Sequence, residues 1–119
     1  MANLTGSNGF TMIAGDDKTL EITVKDEAGD VVDLNGATAR FGLAREPGEA
    51  VLVSKATGGG GVTLTDPDNG VLRVALNGAD TRDLAAGRYW HETEITLGGE
   101  IATVVQDVME IRAAVLKEG

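Results

Sequence analysis

The chain of 119 residues has no cysteine, which removes thiolate nucleophiles, cysteine-ligated zinc, iron–sulfur clusters and disulfide scaffolds in one step. Histidine occurs once, at His91, so neither a histidine-rich metal cage nor a histidine dyad can be assembled. The aromatic set is limited to Phe10, Phe41, Tyr89 and Trp90, leaving Val, Leu, Ile and Ala to fill most of any core. Positive charge is also short: ten Lys and Arg stand against 19 Asp and Glu, a net charge of −9. Residues 1–50 carry nine acids and four bases, and residues 51–119 carry ten and six, so the excess is spread along the chain. A uniformly negative surface repels phosphate backbones and anionic headgroups, and neither nucleic acid nor membrane is an expected partner. No apolar run approaches the roughly 20 residues a membrane helix needs. Met1 to Asn8 lacks both a basic region and an apolar run and does not read as a signal peptide.

What is present is alternation. The length suits one domain able to bury a core without disulfides or metal, and we read a single domain over 1–119, with 1–9 as an N-terminal arm and 113–119 as a C-terminal tail. Phe10 to Ala14 reads as a first short strand, followed by a Gly15-Asp16-Asp17 turn. Leu20, Ile22 and Val24 then alternate with Glu21, Thr23 and Lys25, the pattern of a half-buried strand. After the turn around Asp26 to Asp30, Leu34 reads as a core plug, and Ala37, Ala39, Phe41 and Leu43 point one way from the next strand. Arg45-Glu46-Pro47-Gly48 breaks that strand, and Ala50 to Lys55 resumes as another.

Four consecutive glycines, Gly58 to Gly61, read as a flexible hairpin tip, since no Lys-Ser or Lys-Thr follows to complete a phosphate loop. Val62 to Thr65 and Val71 to Leu76 flank a turn at Asp66-Pro67-Asp68-Asn69-Gly70. Asn77 to Ala86 is the one helical stretch, with Asp80 as its expected cap. Two long runs, Arg88 to Leu97 and Ile101 to Ile111, are joined by Gly98-Gly99, which suits the positive φ angles of a tight hairpin. The count is eight or nine short strands, and the expected fold is all-β: an antiparallel β-sandwich of about seven to nine strands with one short helix before the C-terminal hairpin.

Candidate sites concentrate on that hairpin. His91 sits within a strand with no converging carboxylate on its own face and reads as structural. Glu92 and Glu94 share the opposite face about 6.6 Å apart. That separation invites a glycosidase reading, but a glycosidase also needs a desolvated carboxyl in an aromatic cleft, and only Trp90 shares their face. A solvated strand face, or an acidic contact surface, fits better. Trp90 either anchors a partner protein or lies over its own sheet. In the last strand Val104 and Val108 have the parity opposite to Val105, Met109 and Ile111, so either both faces are buried or a bulge near Gln106-Asp107 switches the phase. Val115 and Leu116 add apolar surface in the tail. Asp66 to Gly70 mimics the opening of a calcium loop without its later glutamate and reads as a plain turn, and a site joining Asp16, Asp17 and Asp33 is less favoured still. No cofactor and no metal are expected.

The order of Leu20-Glu21-Ile22-Thr23-Val24, the turn Asp26 to Asp30, Val32 to Phe41, Val62 to Pro67, Gly70 to Val74, Asp80 to Leu84 and Gly87-Arg88-Tyr89 resembles a family of small phage and prophage proteins with an immunoglobulin-like β-sandwich, related to the N-terminal domain of phage baseplate upper proteins. The resemblance spans residues 16 to 112. It implies a virion component made in the host cytoplasm, a tail, baseplate or fibre adaptor without catalysis. Its implied partners are other virion proteins and further copies of itself; the candidate contact residues, read from strand parity and the apolar tail, are Trp90, Glu92, Glu94, Val104, Val108, Val115 and Leu116. A capsid decoration protein or a glycan-binding adhesion module of the same sandwich class is the alternative.

Overall fold

A residue pattern of period two buries one side and wets the other only on an extended backbone, and the strands follow that pattern closely. The computed structural model describes residues 10–116; the proposed arm at 1–9 and the last three residues of the tail lie outside that range. The strands are β1 (Thr11–Ile13), β2 (Lys18–Thr23), β3 (Thr38–Ala44), β4 (Val53–Ala56), β5 (Val62–Asp66), β6 (Val71–Leu76), β7 (Gly87–Leu97) and β8 (Glu100–Arg112). A 3-10 turn, Pro67–Asn69, precedes β6 and a short helix, α1 (Gly78–Thr81), follows it. The strands form a five-stranded sheet in the order β1-β8-β7-β3-β4 and a three-stranded sheet in the order β2-β6-β5. One core lies between them. Ile22, Val24, Leu34, Leu72, Val74 and Ile95 are fully buried there, with Phe41, Tyr89 and Ile111 almost so. The inward sets expected on β2 and β3 are all buried, and Leu34 fills the core as a plug.

The β7–β8 hairpin turns at Gly98 and Gly99, whose φ angles of 61° and 82° are the pair a two-residue primed turn requires. Tyr89, His91, Thr93 and Ile95 face inward, and Trp90, Glu92 and Glu94 face outward. The phase switch in β8 lies earlier than the sequence suggested. Thr93 pairs with Val105 and Glu94 with Thr103, so Val104 is the extra residue of a bulge. Both Val104 and Val105 are consequently buried, at 2% and 8% exposure. Val104 is therefore a core residue and drops out of the contact surface expected of it. Val104→Ala is expected to lower stability by about 1.5–3 kcal/mol, the worth of a buried aliphatic side chain, and Val108→Ala on the wetter face by less. Urea titrations of the two variants compare them directly, and equal losses would contradict this placement of the bulge.

Three other expectations need correction. β1 is shorter than Phe10 to Ala14 and runs parallel to β8, pairing Thr11 with Glu110 and Ile13 with Arg112. Only a tight hairpin forces antiparallel pairing, and these strands are separated by most of the chain. The glycines at 58–61 form a passage from β4 in one sheet to β5 in the other, not a hairpin tip. A Cβ on Gly60 would meet Ala56 O at 2.9 Å, so glycine is needed here for close passage. Helix α1 is one turn long, and Asp80 is its third residue while Asn77 is the cap. The Asp80 carboxylate accepts the Asn77 backbone N–H at 2.8 Å and pairs with Lys55 Nζ at 2.8 Å, tying the helix to β4.

Candidate functional site

The pairing of β7 with its two neighbours lays side chains in rows across the outer face of the five-stranded sheet. Trp90 lies between Ala44 and Val108, Glu92 between Gly42 and Gln106, and Glu94 beside Arg40. The face thus carries large residues on β7 and small ones on part of β3, which makes a trough. The segment 45–52, between β3 and β4, folds over one side. Val51 Cγ1 stands 3.6 Å from where a Gly42 Cβ would be, and Glu46 and Glu49 reach the rim. The result is a groove of about 190 Å³ lined by Arg40, Gly42, Glu49, Val51, Trp90 and Glu92.

The two glutamates flagged in the sequence are engaged differently. Glu94 Oε1 accepts two guanidinium hydrogen bonds from Arg40, at 3.0 and 2.7 Å. Glu92 Oε1 accepts one from the neutral amide of Gln106, at 2.7 Å. Both act as acceptors on a single sheet face, and the volume is below the roughly 300–1,000 Å³ of small-molecule pockets. His91 does not share this face. It is 1% exposed in the core, with its ring 5.1 Å from that of Phe10 and 6.1 Å from that of Phe41. Among the described residues no three His, Cys, Asp or Glu side chains are grouped to hold a metal ion.

The acidic turns behave as turns. Asn35 Nδ2 donates to Asp33 Oδ1 at 2.7 Å and also to Asp68 Oδ1, bridging the two carboxylates. The Asn35 backbone N–H and then its side-chain amide hold the Asp33 carboxyl below the usual carboxylate range. Asp17 instead accepts the Gly78 backbone N–H at 2.9 Å, beyond the other end of β6. Six residues of strand, about 20 Å, separate that point from Asp33, so Asp16, Asp17 and Asp33 do not converge.

Of the contact residues expected from sequence, Trp90, Glu92, Glu94 and Val108 are brought together on the outer face, and Val104 is not. Val115 and Leu116 are 97% and 83% exposed beyond the end of β8, apart from the groove. Gly42, Val51, Glu46, Glu49 and Gln106 were missed. Gly42 and Gln106 reach the site through the pairing of β3 and β8 with β7, and Glu46, Glu49 and Val51 through the fold of segment 45–52, neither of which can be read from a single strand.

No protein-family model matches the sequence, and no curated protein sequence does. Solved structures do match. CopC from Methylosinus trichosporium OB3b aligns over 95% of this chain and 95% of its own, with a TM-score of 0.54 at 14% identity. The fold is an immunoglobulin-like β-sandwich. At that identity the likeness extends to the fold alone. The Lin-41 filamin domain aligns over 92% of this chain and 90% of its own, with a TM-score of 0.46 at 17% identity. One local feature of such sandwiches recurs here: Tyr89, near the start of β7, donates its hydroxyl to Ala85 O four residues upstream at 2.6 Å.

Proposed function

We propose that this chain is a structural component of a phage particle, a tail, baseplate or fibre adaptor that works by docking to other virion proteins and carries no catalysis. The observation that carries the docking half is the outer face of the five-stranded sheet, where the half-buried Trp90 ring lies beside Glu92 at the edge of a shallow groove. An amphipathic ring next to charge, on a face that no second sheet covers, is the usual composition of a protein-contact anchor. The particle half rests on the order of sequence signals from residue 16 to 112. The chemistry of the site supports a binding role over turnover, because each outer glutamate already serves as an acceptor to a neighbouring side chain.

Mass spectrometry of particles purified from the strain that encodes the chain tests this reading. The chain is expected at a fixed ratio to the major tail proteins through successive density gradients. Its absence from such particles, together with strictly monomeric behaviour in light scattering, would remove the reading.

A further inference from the structure

Glu94 and Glu92 occupy equivalent positions two residues apart on one strand face, yet the residues opposite them on β3 differ in the one respect that matters. Opposite Glu94 stands Arg40, whose largely exposed guanidinium donates twice to one oxygen of the carboxylate. Opposite Glu92 stands Gly42, which has no side chain at all. The groove lies over that glycine, bounded by Val51 on one side and by the Trp90 row on the other. Its charge is lopsided. Once Arg40 and Glu94 are paired, the lining carries Glu46, Glu49 and Glu92, and among the described residues no lysine or arginine pairs with any of the three. At about 190 Å³ it has room for the end of one side chain and too little for a drug-sized ligand.

We infer that the groove over Gly42 takes the guanidinium of an arginine supplied by a partner protein, in the geometry that Arg40 already shows one row away. A guanidinium is planar, presents donors in a fixed fork to a carboxylate, and stacks on an aromatic face. Glu92 supplies the acceptor through the carboxylate oxygen that Gln106 does not engage, Trp90 the ring, and Glu46 and Glu49 a rim that draws a cation towards an already acidic chain. A lysine would meet the charge but not the fork, and a neutral glycan would leave the carboxylates without a countercharge. This inference rests on the docking reading above and names the chemistry of the partner.

Trp90 is the only tryptophan, so its emission reports from the groove in the purified full-length chain. The probe is a capped Gly-Arg-Gly peptide, with the lysine and citrulline peptides as controls, the latter being the neutral isostere of arginine. The arginine peptide is expected to change Trp90 emission saturably, with a Kd on the order of 1 mM. The lysine peptide is expected to bind more weakly, citrulline not to bind, and added salt to reduce the response. Glu92→Gln should weaken the arginine peptide about tenfold. Gly42→Arg, which removes no acid and fills the groove with a tethered guanidinium, should abolish the response while thermal unfolding stays cooperative. Equal responses to arginine and citrulline, saturable binding of a neutral oligosaccharide, a concentration-dependent dimer that accounts for the emission change, or unaltered binding in a folded Gly42→Arg variant would each overturn the inference. Binding here by a chain absent from particles would leave the groove standing and remove the virion, and the reverse pair of results would leave the virion role with a different footprint.

Discussion

Tyr89→Ala is expected to cost about 3–5 kcal/mol, the range for truncating a buried aromatic, a large share of the 5–15 kcal/mol that holds a typical domain folded. The ring is 1% exposed and packs in the single core. Its hydroxyl reaches Ala85 O at 2.6 Å, locking the passage from α1 into β7 before the strand begins. On the other side the Arg45 guanidinium sits 4.9 Å from the ring centroid, and its Nη1 lies 3.4 Å from the hydroxyl. Arg45 opens the segment that walls the groove, so one tyrosine couples the core, the corner and the rim.

Tyr89→Phe separates these roles. It keeps the ring and the Arg45 guanidinium over it, and removes the hydroxyl with its short donation to Ala85 O and its long acceptance from Arg45 Nη1, so the expected loss is about 0.5–1.5 kcal/mol, set mainly by the shorter hydrogen bond. Urea unfolding of the two variants gives both numbers from the shift in midpoint at constant slope. A phenylalanine variant as stable as the parent would show that the corner hydrogen bond contributes nothing, and an alanine variant losing under about 1 kcal/mol would show that the ring is not part of the core, against the usual truncation cost.

The alternation of Leu20, Ile22 and Val24, of Ala39, Phe41 and Leu43, and of Tyr89, His91, Thr93 and Ile95 was legible because period two needs nothing beyond the strand itself. The Gly98-Gly99 turn was legible for the same local reason. The bulge was not, because the doublet Val104-Val105 satisfies either phase and only the pairing with Thr93 and Glu94 decides between them. Nor was the passage at 58–61: four glycines announce freedom of φ, and whether that freedom serves a turn or a crossing between sheets depends on where β5 finds its partner. The same limit applies to the groove. Trp90, Glu92 and Glu94 fall on one face by parity, whereas the emptiness beside Glu92 belongs to Gly42, 50 residues earlier, and becomes visible only when β3 lies against β7.

Gly70→Ala tests a close backbone approach at the end of the opposite sheet and is expected to cost about 3–5 kcal/mol, in the upper tail of single substitutions. Gly70 closes the 3-10 turn before β6 with φ +74°, where an L side chain is already strained by about 1–2 kcal/mol. The larger part is steric. An added Cβ would stand 2.7 Å from Val24 O and 2.8 Å from Val32 O, both backbone atoms that cannot rotate away. Val24 O is also committed, accepting Val32 N–H at 3.0 Å, while Val24 N–H donates to Gly70 O at 2.8 Å, so relief in that direction breaks the link that joins three segments. Gly36→Ala supplies the control. Its φ of +82° is nearly the same, but nothing lies within 4 Å of the added carbon, so only the backbone term of about 1–2 kcal/mol remains. The difference between the two variants, read as the gap between their denaturation midpoints, isolates the clash. Equal losses would mean that the carbonyls of Val24 and Val32 yield freely and that this junction is not the rigid end of the sandwich.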